Sequence, residues 1–172
     1  MTIQINYKIK TLNKPSSNLV LFVDENFNIT SLKKHISNTE FSYINDLLKN
    51  GDLRKNLLFF EVNSKKTIFL VSLKKNLEPS DIESLGAEFH NHINYDKKSE
   101  YFVNSDSIGI RFENFLGYFL HGLKLKSYEF NIYKSKKVSK IVSINVIGSK
   151  NKITTQNELR FKAIEQGTFF AR

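Results

Sequence analysis

Along this chain, continuous or alternating apolar runs that suit strands give way repeatedly to apolar spacings of three and four that suit helices. Thr2 to Lys10 alternates apolar and polar positions, and Asn18 to Val23 is unbroken apolar, the pattern of a strand covered on both faces. The turn residues Asn13-Lys14-Pro15-Ser16-Ser17 separate the two. A helix is predicted next, capped by Asn38 or Thr39, with Phe41, Ile44, Leu47 and Leu48 on one face and a left-handed Gly51 closing it. Leu57 to Val62 and Thr67 to Leu73 read as strands joined at Asn63-Ser64-Lys65-Lys66, the second of them central and buried. Ser80 and Glu83 then have capping-box spacing ahead of an inward stripe of Ile82, Leu85, Phe89 and Ile93. Gly86 shares that stripe, where a missing side chain lets the helix lie close to the sheet. Tyr101 to Asn104 is a short strand, and Phe112, Phe115, Leu116, Phe119, Leu120 and Leu123 mark the strongest amphipathic helix. Val138 to Ile147 is the last strand, with Ser143 and Asn145 on its wetter face.

Strands interleaved with helices predict an α/β fold in three layers, a mixed and mostly parallel sheet with helices on both faces. After Gly148-Ser149-Lys150-Asn151, a final helix opens with Thr155 and Glu158 in capping-box register and carries Leu159, Ala163, Ile164, Gly167 and Ala171 as an apolar stripe. Thr168-Phe169-Phe170-Ala171-Arg172 supplies no helix stop signal. The expectation is a front portion of a larger protein, with Ile164, Phe169 and Phe170 as inter-domain contacts.

At 172 residues the chain is about one domain long, enough to bury a core without staples. It has no cysteine, which removes disulfide and thiol chemistry, and its N-terminus has neither a signal-peptide pattern nor a membrane span. A cytoplasmic location without membrane attachment is therefore expected. The net charge of +9 invites a nucleic-acid reading, but all but four of the 26 basic residues are lysine, whereas bidentate recognition leans on arginine. Lys134, Lys136, Lys137 and Lys140 form the densest basic segment and are the candidate polyanion contact; a basic nucleic-acid-binding module, with DNA as its possible partner, is one alternative function.

Chemistry is sparse. His90 and His92 stand two apart on a predicted helix, so they point to different sides, unlike the spacing of four that places two ligands on one metal. His121 reads as a partly buried or interface side chain. No glycine-rich phosphate loop and no Gly-x-Ser-x-Gly element occurs. The pairs Asp24-Glu25 and Asp81/Glu83 fit a strand end and a helix first turn. No catalytic, metal or cofactor-binding residue is assigned.

Four segments nonetheless share an order with a known family: Leu47 to Lys55, the strand Ile68 to Leu73, the stretch Gly117 to Lys134, and Ala163 to Arg172. Most specific are Gly122, Leu125, Tyr128, Phe130, Tyr133 and Lys134, and the closing Gly167 with Arg172. Together they resemble the N-terminal domain of the leucyl aminopeptidase (cytosol aminopeptidase) family. The resemblance implies a macro-domain-like unit over residues 1–152 and a linker helix over 153–172 leading to a catalytic domain outside this chain. It also implies that this catalytic domain would hold two divalent metal ions, zinc or manganese, while the present chain is noncatalytic. The implied partners are that catalytic domain and like subunits of a homohexamer. A macro-type ADP-ribose binder is the remaining alternative, by analogy of fold.

Overall fold

The computed structural model describes residues 2–7, 18–95, 98–109, 112–128, 140–151 and 153–171. The sheet is built from β1 (Thr2–Asn6), β2 (Asn18–Asp24), β3 (Leu57–Asn63), β4 (Lys66–Leu73), β5 (Glu100–Asn104) and β6 (Ile141–Ile147), in the order β1-β6-β5-β2-β4-β3. Every neighbouring pair is parallel except the β3–β4 hairpin. The helices are α1 (Asn38–Asn50), α2 (Pro79–Tyr95), α3 (Phe115–Lys126) and α4 (Thr155–Ala171), with short 3-10 turns at Thr30–Lys34 and Ser105–Ser107. Residues 8–10 and 13–17 and most of the expected basic segment lie outside the described residues.

Alternation along the buried strands splits the core in two, since successive side chains leave a strand on opposite faces. Val20, Phe22, Phe69, Val71, Tyr101, Val103, Val142 and Ile144 meet Ile82, Phe89, Phe115, Phe119 and Leu123 of α2 and α3. On the opposite face Leu19, Leu21, Ile68, Leu70 and Phe102 meet Leu32, Ile44 and Leu48 beside the first 3-10 turn and α1. The expected three-layer, mixed and mostly parallel α/β sandwich is therefore present. Aromatic rings knit the first layer edge to face: Phe22 lies 5.3 Å from both Phe115 and Phe119.

Several local expectations change. The cap of α1 is Ser37, not Asn38 or Thr39: Glu40 N–H donates to Ser37 Oγ at 3.3 Å, and Ser37 N–H donates to Glu40 Oε2 at 3.0 Å. Gly51 closes the helix in extended backbone, φ −88° and ψ 160°, so no left-handed glycine is required. At α2 the Ser80–Glu83 box is not formed. Asp81 Oδ2 accepts from Glu78 N–H at 2.9 Å instead, while Glu83 turns to His121. Gly86 permits close approach to another helix and not to the sheet: a Cβ there would sit 2.0 Å from the Phe119 carbonyl oxygen, and one at Gly122 would sit 2.0 Å from that of Glu83. The two glycines let α2 and α3 cross in backbone contact. Asn145, expected on a wet face, is 2 % exposed and bridges strands, accepting from Asn6 Nδ2 at 2.8 Å and donating to Glu100 Oε1 at 3.1 Å.

Candidate functional site

Two features could serve a function, the helix α4 and a cleft at the carboxyl ends of the strands. Helix α4 is capped by Thr154, whose Oγ1 accepts from Asn157 N–H at 3.3 Å, one residue before the expected cap; Glu158 pairs with Lys162 at 2.7 Å instead of closing a box. Its inward stripe is Phe161, Glu165 and Phe169, four residues apart, not the run through Leu159 and Ala163. Phe161 lies over Gly117, where an added Cβ would stand 2.3 Å from its ring, and is flanked by Tyr118 and His121 at 5.2 Å each. Phe169 stacks on Tyr128 at 4.4 Å, and Tyr128 donates from its hydroxyl to the Phe169 carbonyl at 3.1 Å. Of the expected inter-domain residues, Phe169 is thus engaged within the chain. Ile164 and Phe170 face outward together with Leu159.

Beneath α4 lies a polar seam. His121 is buried, and its Nδ1 sits 2.8 Å from Glu83 Oε1. Glu165 is 8 % exposed. Burial pushes its carboxyl above the usual range, against the pull of Lys124, His121 and Lys162. Burial, and then Glu165 and Glu158, push the Tyr7 hydroxyl up as well.

The cleft, about 510 Å³, is floored by Phe22, Val23, Leu73 and Ser107 and rimmed by Asp24, Asn28, Thr30, Ser31 and Gly109. Its position follows from topology. From β2 the chain runs through α1 toward β3 and β4, whereas from the adjacent β5 it runs through α3 toward β6, so the strand order reverses there and a crevice opens. Several backbone donors nearby are already occupied. Asp24 Oδ1 accepts from Asn26 N–H at 3.0 Å and Asn28 N–H at 2.9 Å, and Asn28 Oδ1 accepts from Thr30 N–H at 3.0 Å. Ser107 Oγ accepts from Phe22 N–H at 3.0 Å and donates to the Asn104 carbonyl at 2.7 Å. Beyond β6, Asp106 Oδ1 accepts from Ser149 N–H at 2.8 Å and Lys150 N–H at 2.6 Å. Burial raises that carboxyl, but these bonds, with His35 and the Lys150 charge, outweigh it and hold Asp106 below its usual range. Two carboxylates of the protein thus cap loop amides at this end of the sheet.

Among the described residues no group of three or more His, Cys, Asp or Glu could hold a metal. His92 lies 5.3 Å from the Phe59 ring and His90 is buried. Of the basic segment, Lys134, Lys136 and Lys137 lie outside the described residues, and Lys140 Nζ donates to the Ile93 carbonyl at 3.2 Å, near the end of α2. No described helix is long and apolar enough to cross a membrane.

No protein-family model matches the chain, and no curated protein matches it in sequence. Among solved structures it is similar to a mutant of tomato leucine aminopeptidase, with 18% identity and a TM-score of 0.69 over 95% of this chain and 36% of that one. It is also similar to the macrodomain of Thermus aquaticus DarG, with 11% identity and a TM-score of 0.54 over 86% of this chain and 99% of that one. A third likeness is to the bottromycin maturation enzyme BotP in complex with Mn, with 9% identity and a TM-score of 0.59 over 91% of this chain and 31% of that one. The chain spans about a third of the length of the aminopeptidase and of BotP. At these identities the likeness establishes the fold, a macro-like α/β sandwich.

Proposed function

We propose that the chain is a noncatalytic assembly domain of a cytosolic leucyl aminopeptidase, residues 1–152 forming the macro-like body and 153–172 the linker helix. The observation that carries the reading is the partial docking of α4: Phe161 seats it on α3 while Leu159, Ile164 and Phe170 stay exposed. Exposed large apolar side chains on a helix docked by only a few rings suit contact with a further domain or subunit. The aminopeptidase character of the parent is supported by the ordered sequence segments and by the likeness of fold. In such a parent, two divalent ions, zinc or manganese, would belong to the catalytic domain and would activate water for release of N-terminal amino acids. The described residues offer no ligand cluster for them. The test is hydrolysis of a leucyl substrate by the 172-residue chain with added manganese: no turnover is expected, and appreciable turnover would overturn the noncatalytic reading.

The cleft favours a second reading, a small-molecule site of macro type. Against a diphosphate such as that of ADP-ribose stands the lining, which holds Asp24 and no cation among its described residues, with several neighbouring amides already taken. Calorimetry with ADP-ribose is expected to give no binding heat, and saturable heat would promote this reading over the first.

A further inference from the structure

The stripe by which α4 docks breaks a local rule. Phe161, Glu165 and Phe169 lie one turn apart on one face, and the middle position, where an apolar residue would complete the contact, is a carboxylate 8 % exposed. Consistency between pattern and packing is the default in a stable interface, and departures concentrate at functional positions. The surroundings of Glu165 come from three elements besides its own. Tyr7 follows β1, Lys124 and His121 belong to α3, and Glu83 of α2 holds the His121 ring. Glu158 and Lys162 flank it on α4, ion-paired to one another. Lys124 is partly committed elsewhere, since its Nζ donates to the Ile3 carbonyl. The aromatic anchors are two rings, Phe161 on Gly117, Tyr118 and His121, and Phe169 on Tyr128.

We propose that α4 is a releasable latch on α3, closed when Glu165 is protonated and loosened when that carboxylate is charged. With the proton on, Glu165 can be buried at modest cost between the two rings. With the proton off, burial of the charge opposes docking, against the pull of Lys124, His121 and Lys162. Because the folded-state affinity of Glu165 for its proton is raised, its contribution is fully present at acid pH and is lost as pH rises. Opening would uncover Gly117, Tyr118, His121 and Tyr128 as an aromatic groove. The inference rests on the α3–α4 seam and stands or falls independently of the aminopeptidase reading.

The chain has no cysteine, so a spin-label pair at Ser80→Cys and Gln166→Cys is unambiguous. The distance distribution between them, measured at about pH 4, below the ordinary glutamate range, and at about pH 8, reads the docked fraction directly. The expected result is a narrow distribution at the lower pH and a broad component that grows several-fold at the higher one, while the same pair in Glu165→Gln stays narrow at both. Identical distributions at both values in the Glu165 protein would overturn the latch. So would the same broadening in Glu165→Gln, which would place the sensitivity in another group. Unchanged far-UV dichroism confirms in each case that the body remains folded.

Discussion

Three glycines, two crowded and one open, show how much a single missing methyl group decides. Gly86 and Gly122 stand where α2 and α3 touch, and any Cβ would meet a carbonyl oxygen at 2.0 Å, closer than atoms can pack. Gly86→Ala should therefore force the helices apart and lower stability by roughly 1–3 kcal/mol or more, a loss seen as a lower melting temperature. Gly167 has nothing within 4 Å of its added Cβ and lies in the exposed part of α4. Gly167→Ala should raise stability by roughly 0.5–1 kcal/mol, because alanine loses less backbone freedom in a helix. That Gly86 marks a close approach was legible from its place on the apolar stripe, but not what it approached. Periodicity names the inward face of a helix and leaves unnamed the element that meets it.

Helix starts show the same limit one level up. Serine, threonine and asparagine all cap well, so a run such as Ser37-Asn38-Thr39 offers three candidates, and Glu40 decides in favour of the residue three positions before it. Ser37→Ala should cost about 1 kcal/mol in thermal unfolding. Glu40 has a second partner in Lys66 at 2.6 Å, and burial, which would raise its carboxyl, is outweighed by bonds to Lys66 and Ser37, leaving it below the usual range. Asp106 is held low in the same sense. Both contribute stability that is present above the ordinary carboxylate range and is lost as pH falls below about 4, so acid unfolding should be blunted in Asp106→Asn. Glu165 acts with the opposite sign. In α4 the apolar residues fall on two sides, and spacing alone favoured the stripe through Leu159 and Ile164; the aromatic pair flanking Glu165 won because Gly117 provides a seat for a ring. Leu159→Lys and Ile164→Lys should change stability by no more than about 0.5 kcal/mol. Phe161→Ala, which empties that seat, should cost clearly more in the same melting experiment.

At the scale of the molecule, the sandwich was legible because strand and helix periods alternate cleanly and the buried strands β2 and β4 carry unbroken apolar runs, Leu19 to Val23 and Ile68 to Val71. The cleft was not, because it is made by topology: strands distant in sequence become neighbours, and its loops present ordinary residues such as Asp24, Asn28 and Ser107. Capping of loop amides by Asp24 and Asp106 was equally hidden, since an aspartate near a strand end has many uses. Among the large apolar side chains the fold leaves exposed are Leu159, Ile164 and Phe170 of α4, and the proposed role follows from them. The central claim is that this domain works as part of a longer aminopeptidase polypeptide. It is tested most directly by the mass of the native product, detected in extracts of the source cells with an antibody raised against this domain. The account predicts a species roughly three times as long as the present chain, in proportion to the aminopeptidase it resembles. A native species of only 20.0 kDa would contradict it.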